Sequence, residues 1–121
     1  MKLNYITIMV RDIEKSLDFY EKLVGLKVVN EMKLEAGRIA FLSNGEGETM
    51  LELIELSRGE KVETKGMVMS YAAVEGLEVL RARAEELGYS PSEITDVAPK
   101  PKYFTVLDPD GIVVEFSVHN S

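Results

Sequence analysis

Two glutamates stand among apolar neighbours in segments that alternate like β-strands. Glu52 is the centre of Leu51–Leu53, and Glu115 is the centre of Val114–Phe116. A carboxylate on an apolar face requires an ionic or hydrogen-bonding partner, a bound proton or a metal ion. The alternative is an ordinary glutamate on a solvent-exposed sheet face. We would favour that alternative if the pattern occurred in only one strand. Because the pattern occurs twice, we favour a shared pocket with Glu52 and Glu115 as its candidate catalytic residues.

Two carboxylates in one partly apolar pocket would influence each other's protonation. Like charges raise the pKa of at least one group, so the pair could act as general base and general acid. The pair could also attract a cationic ligand, and the excess of 21 Asp and Glu over 14 Lys and Arg would add weak steering. The absence of cysteine and the single histidine, His119, exclude thiolate chemistry and any site that needs two imidazoles from one chain.

The first predicted strand of each half supplies candidate lining residues. Period-two alternation predicts one pocket-facing row on each of these strands. Such rows form either a deformable apolar wall around an organic ligand or a plain hydrophobic layer, for example at a subunit interface. The rows are Tyr5, Thr7 and Met9 in the first half and Met67, Met69 and Tyr71 in the second. The predicted ligand-binding residues, with two from the glutamate strands, are Tyr5, Thr7, Met50, Met67, Met69, Tyr71 and Val113.

Hydrophobic periodicity predicts the elements that position these residues. Asp12 is the expected N-cap of a helix that ends at Gly25, and a second helix begins at Leu77 and ends at Gly88. Residues 89–102 contain three of the four prolines, which favours loop with at most one short edge strand. The predicted strands cover 3–10, 26–32, 38–42, 49–56, 67–74, 103–107 and 112–118.

The two halves of the sequence repeat each other. Val10 and Val74 each stand just before a helix, and Phe41 precedes its glutamate by the same interval as Phe104. This pattern indicates a repeated βαβββ module, over about 1–57 and about 67–121, with a linker over about 58–66. One module buries only one face of its sheet. We therefore expect a single α+β domain in which the two modules pair into a cupped mixed sheet with helices outside, within one chain or between chains.

Composition excludes several classes of function. The chain has 121 residues and a net charge of −7, which predicts one globular domain and argues against nucleic acid, because phosphate binding needs a basic face. No apolar run approaches the roughly 20 residues of a membrane span, so we expect a cytoplasmic protein without a membrane partner. A dehydrogenase is disfavoured because no glycine-rich loop follows a strand, and a serine hydrolase because no histidine is within plausible reach.

The order of these motifs resembles the vicinal oxygen chelate superfamily. Its members include glyoxalase I, extradiol dioxygenases, fosfomycin-resistance enzymes and bleomycin-resistance proteins. The resemblance covers essentially the whole chain, and it implies paired βαβββ modules, often in a homodimer, with the active pocket in the cup. The matching stretches are 5–12 leading into 13–20, then 23–26, 51–53, and 108–111 leading to 113–116.

The resemblance also implies positions for a metal site. Family enzymes commonly hold a divalent ion with histidines on the first strands and glutamates on the last. Carried over by position, the glutamates are Glu52 and Glu115, whereas Tyr5 and Met69 replace the histidines. Zn²⁺ and Ni²⁺ lose their imidazoles, while Mg²⁺ or Mn²⁺ could accept carboxylates, a tyrosine oxygen and water. No cofactor is expected, with a divalent metal (Mg²⁺, Mn²⁺, Ni²⁺ or Zn²⁺) as the open alternative, and His119 is expected in a surface tail.

Three functions fit these observations. The first is a metal-free binding protein, similar to the bleomycin-resistance branch, that holds a small organic ligand. The second is a divalent-metal-dependent, glyoxalase-like lyase or isomerase that uses Glu52 and Glu115, with the ion polarising a carbonyl. The third is a degenerate module whose sheet serves dimerisation only. The missing histidines favour the first, and the sequence leaves open whether the protein is an enzyme. The expected partners are a small-molecule ligand and a second copy of the chain.

Overall fold

The chain folds into two compact units, Met1–Glu63 and Thr64–Ser121. A computed structural model describes residues 1–35, 37–55 and 66–118. The boundary between the units falls inside the range predicted as a linker. Most of that linker and His119 lie outside the described residues, so the predictions made for them remain predictions.

The first unit contains a four-stranded mixed sheet and one helical region. The sheet order is β1-β4-β3-β2, with β1 parallel to β4 and the other neighbours antiparallel. The helical region begins as α1 (Ile13–Asp18) and continues as a π-helical segment (Phe19–Val24). The strands are β1 (Tyr5–Val10), β2 (Lys27–Leu34), β3 (Gly37–Ser43) and β4 (Met50–Glu55).

The predicted ends of this helical region are confirmed. The Asp12 carboxylate accepts hydrogen bonds from the backbone N–H groups of Glu14 and Lys15, at 3.1 and 3.4 Å. Gly25 ends the π-helical segment in the left-handed conformation, with φ 87°. A further bond ties the helix to the sheet, because the Ile13 N–H donates to Glu55 Oε2 at 2.7 Å. The first turn of α1 is therefore fixed against the end of β4.

The second unit contains a three-stranded mixed sheet and one helix. The sheet order is β5-β7-β6, with β5 parallel to β7, and the helix α2 packs against β6 and β7. Residues 89–102 form mostly loop, as expected, with one isolated bridge between Thr95 and Tyr103. The second module therefore has a loop and a bridge where the first has the strand β2. The elements are β5 (Val68–Ala73), α2 (Leu77–Glu86), β6 (Tyr103–Leu107) and β7 (Val113–Val118).

Each unit has its own apolar core on one face of its sheet. The alternation of buried and more exposed residues along β1 and β6 reflects this asymmetry. The α+β class with mixed sheets is confirmed. No helix in the described ranges has the length and apolar character that crossing a membrane requires. The largest fully buried side chains include Ile13, Phe19, Tyr20, Leu23, Leu42 and Leu53 in the first unit, and Phe104, Ile112, Val114 and Phe116 in the second.

Candidate functional site

Strand register identifies the residues that share a face with each glutamate. Thr7 on β1 is the neighbour of Glu52, and Ser70 on β5 is the neighbour of Glu115. Directly paired residues project to the same side of a sheet. The two hydroxyl–carboxylate pairs are therefore equivalent positions of the repeat.

The first unit presents a carboxylate within a partly open apolar face, here called the Glu52 face. Glu52 is only 9% exposed, and the Thr7 hydroxyl donates to its Oε1 at 2.5 Å. Beside it, the rings of Tyr5 and Phe41 meet edge to face at 5.5 Å, and Tyr5 remains 45% exposed. The structure thus places Tyr5, Thr7 and Met50 on the same face as Glu52, and their role in binding remains a prediction.

A cavity of about 430 Å³ adjoins the Glu52 face in this unit. Met50 belongs to both, because it lines the cavity and its side chain lies on the same side of β4 as that of Glu52, two residues further along. The volume lies within the range of small-molecule pockets. Its lining consists of Lys27, Val29, residues 43–48 and Met50.

Two predicted lining residues lie on the opposite face from Glu115. Met69 is the neighbour of Val114, and Tyr71 is the neighbour of Phe116, so both project away from the Glu115 side. Met69 is 8% exposed, and the Tyr71 ring stacks on Phe116 at 6.2 Å. Burial raises the pKa of Tyr71 to about 12, and the Asp108 carboxylate adds to the rise. The placement of Met69 and Tyr71 in a pocket-facing row is therefore wrong.

The same correction applies to the rest of the predicted row. Met67 precedes β5 and lies outside any strand. The β5 residues on the Glu115 side are Val68, Ser70 and Ala72. Val113, the neighbour of Val68, does lie on that side, as the prediction required.

The wrong face was predicted for these residues because the connection between strand and helix differs in length by one residue between the two modules. Val10 is 3% exposed within β1, but Val74 is fully exposed beyond the end of β5, and the buried equivalent of Val10 is Ala73. The second unit has one more residue between its strand and helix. The first unit has one more residue in its helical region, which includes the π-helical segment. Because side chains alternate, a shift of one residue exchanges the faces. The family's second histidine position therefore falls on Val68, not on Met69.

Among the residues that the structure describes, Glu115 has a cationic partner, whereas Glu52 has none. The Lys100 ammonium forms an ion pair with Glu115 Oε1, and the Ser70 hydroxyl also bonds to the carboxylate. The hydrogen bond from Lys100 holds the pKa of Glu115 below its ordinary value, with a smaller contribution from Ser70. The repeat with Thr7 could have identified Ser70. Lys100 lies in a non-periodic loop, and no sequence signal marks it.

We expect the ion pair to make part of the stability depend on pH. Because the folded pKa of Glu115 is lowered, its contribution is fully present above the ordinary glutamate pKa of 4.5 and disappears as pH falls below it. The Glu115→Gln variant should therefore be less stable than the wild type at pH 7, with a gap that narrows towards pH 3 in urea unfolding. Glu86→Gln, on the exposed end of α2, is the control. A gap that is constant with pH would contradict the assignment.

The donor set does not fit the metal site that the resemblance implies. Tyr5 and Val68 stand where histidines would be needed, and Lys100 already pairs with Glu115. Within residues 1–35, 37–55 and 66–118, no three His, Cys, Asp or Glu side chains come together as a possible metal-binding group. A divalent ion at Glu115 would have to displace the ammonium of Lys100.

Comparisons with known proteins agree with the fold. The uncharacterised protein YwbC of Bacillus subtilis is 31% identical over 121 residues, covering 95% of each chain. A lactoylglutathione lyase of Neisseria meningitidis is 29% identical over 124 residues, covering 96% of this chain and 89% of the relative. The Leishmania major glyoxalase I, described as trypanothione-dependent, superimposes with a TM-score of 0.81 at 22% identity, covering 98% of this chain and 86% of the other.

A sequence model of one superfamily matches nearly the whole chain, from residue 2 to residue 116. That span contains both glutamates and almost all of the two repeated modules, since it ends within β7, and the fold of each unit agrees with it. The protein belongs to the Glyoxalase/Bleomycin resistance protein/Dioxygenase superfamily.

Proposed function

We propose that the protein binds a small organic ligand at the Glu52 face. The ligand would combine an apolar, preferably aromatic body with a cationic or N–H-donating group. The observation that carries this proposal is a buried carboxylate whose described partner is a neutral hydroxyl, that of Thr7. A carboxylate has about four acceptor positions, so Glu52 retains the capacity for a charge-assisted bond to a ligand.

The surroundings of Glu52 support an aromatic ligand. Tyr5 offers an exposed ring next to Phe41, and Met9 and Met50 provide adaptable thioether side chains on the same side of the sheet. The cavity that Met50 lines offers enough volume for part of such a molecule. An apolar wall around one buried charge is typical of sites for cationic organic molecules.

A second candidate function is the divalent-metal-dependent lyase or isomerase that would use Glu52 and Glu115. The relative named lactoylglutathione lyase favours it, and family membership makes Mg²⁺, Mn²⁺, Ni²⁺ or Zn²⁺ chemistry a reasonable comparison. The pairing of Glu115 with Lys100 argues against it, as do Tyr5 and Val68 at the histidine positions. We therefore place metal-free binding first. Metal-stimulated lyase activity of the wild type, abolished by Glu52→Gln, would reverse that order.

We expect Glu52→Gln to weaken the binding of a cationic aromatic probe by about tenfold or more, because it removes one charge-assisted hydrogen bond. Proflavine is a suitable probe, with affinity measured by fluorescence titration. Glu21→Gln is the matched control, since it changes the net charge equally on the exposed surface of the helical region. A neutral aromatic of similar size should not distinguish the variants. Equal proflavine affinity in the wild type and Glu52→Gln would refute the proposal.

We also propose that the protein acts as a homodimer, as the family resemblance implies, and that it is cytoplasmic. The support comes from family membership. Light scattering on purified protein gives the oligomeric state directly, and fractionation of the source cells gives the compartment.

A further inference from the structure

We propose that the ammonium group of Lys100 serves as the counter-cation of Glu115 and thereby prevents divalent metal ions from binding to this carboxylate. The inference concerns the second unit and does not depend on ligand binding at the Glu52 face. It identifies Lys100 as the residue that determines cation selectivity at Glu115.

The first line of support is the set of groups around the Lys100 ammonium. The ammonium is ion-paired with Glu115 Oε1 and lies 4.2 Å from the centroid of the Tyr103 ring. The carboxylate provides the opposite charge, and the ring face adds a cation–π interaction. The Glu115 side chain is only 11% exposed, whereas that of Lys100 is 55% exposed. The lysine therefore covers the carboxylate from the solvent side, where a cation from solution would approach.

The second line of support is the backbone that delivers Lys100. Pro99 and Pro101 flank it, and proline restricts both its own φ and the conformation of the preceding residue. The Lys100 N–H donates to the Val97 carbonyl at 3.2 Å. The lysine is consequently held on a turn of restricted conformation, so less chain entropy is lost when the ion pair forms.

The end of this loop is also fastened to the sheet. Thr95 and Tyr103 exchange two backbone hydrogen bonds, at 2.7 and 3.0 Å, and the Val118 N–H donates to the Lys102 carbonyl at 3.0 Å. These bonds connect the loop to β6 and β7 on either side of Lys100. The tethered ammonium is therefore present at Glu115 at a high effective concentration, against which a free ion must compete.

The comparison of the two units provides the third line of support. At the equivalent carboxylate, Glu52, the described partner is the Thr7 hydroxyl. The first unit has the strand β2 where the second has the loop 89–102. Replacement of a strand by a loop is what allows a lysine to reach across the face of the sheet in the second unit. The two repeated carboxylates thus occupy matching strands and have matching hydroxyl partners, but among the described residues only Glu115 is paired with a cationic side chain.

The test is titration with Mn²⁺ alone, followed through paramagnetic broadening of backbone amide signals around Glu115 and Ser70. Lys100→Met should bind Mn²⁺ there about tenfold more tightly than the wild type, because a competing like charge has been removed. Lys102→Met is the matched control: it removes the same charge two residues away, from a side chain 3.8 Å from Glu78. It should behave like the wild type, as should Lys100→Arg.

The gain should disappear in the double variant Lys100→Met with Glu115→Gln. Because the Lys100 side chain is half exposed, the single variant is expected to fold, and Lys100→Gln serves as a second neutral replacement. Equal broadening around Glu115 in the wild type and Lys100→Met would overturn the proposal. Absence of broadening there in both neutral variants would overturn it as well, since Lys100 would then not be what excludes the ion.

Discussion

Replacing Asp108 with alanine is expected to lower the free energy of unfolding by about 2–3 kcal/mol. Asp108 is 4% exposed, and its Oδ1 accepts hydrogen bonds from the backbone N–H groups of Asp110 and Ile112, at 2.8 and 2.9 Å. Alanine would leave both buried donors without this acceptor, and unsatisfied buried donors carry the full desolvation penalty. The loss is therefore larger than that of a surface carboxylate.

Urea unfolding followed by circular dichroism measures this effect. Asp108→Asn retains one acceptor oxygen and should lose less than the alanine variant. Asp96→Ala, at an exposed loop position, is the control and should change stability by less than about 0.5 kcal/mol. A change of that small size in Asp108→Ala would show that the turn does not depend on the carboxylate.

The Asp108 turn matters for the site because it sets the register of the hairpin that carries Glu115. The Asp108 N–H donates to the Ile112 carbonyl at 2.9 Å, and the Gly111 N–H donates to the Asp108 carbonyl at 3.0 Å. Gly111 adopts φ 93°, a conformation that other residues reach at a cost. A turn fixed in this way determines the register between β6 and β7, in which Thr105 is the direct neighbour of Glu115.

The sequence predicts this turn and most of the elements because local chemistry determines them. Asp12 and Gly25 mark the ends of the first helical region, and Asp108–Gly111 marks the hairpin turn, through side-chain or backbone geometry within a few residues. Hydrophobic alternation likewise gives seven strands at nearly the observed places. Each of these features can be judged without knowing the rest of the fold.

The candidate site is harder to predict because it depends on registers between distant segments. Alternation predicts Met69 in the pocket-facing row, yet one extra residue before α2 puts Val68 and Ser70 on the Glu115 side instead. Lys100 reaches Glu115 from a loop without hydrophobic periodicity. Counted back from the glutamates, spacing pairs Ser70 with Thr7, whereas the alignment of Val10 with Val74 shifts the row by one residue. The direction of a loop side chain such as that of Lys100 is not contained in spacing. Repetition of the glutamates is visible in sequence, whereas the difference between their partners is not.

Phe41 and Phe104 show how one residue of hairpin length changes the role of a repeated position. Both precede their glutamate by the same interval, but Phe41 is the neighbour of Glu52 itself, whereas Phe104 is the neighbour of Phe116. Phe41 therefore shares the Glu52 face and is half-buried. Phe104 is fully buried on the side opposite Glu115, with its ring 5.3 Å from that of Phe116.

We therefore expect the same substitution at these two positions to have different consequences. Phe104→Ala should lower the free energy of unfolding by about 3–5 kcal/mol, since it opens a cavity in the core of the second unit. Phe41→Ala should cost about 1 kcal/mol in stability, as a half-buried side chain, and should weaken proflavine binding at the Glu52 face. Urea unfolding and fluorescence titration of both variants provide the measurements. Equal stability losses would mean that the two hairpins share one register. Unchanged proflavine binding in Phe41→Ala would show that the Phe41 ring is not part of the proposed binding site.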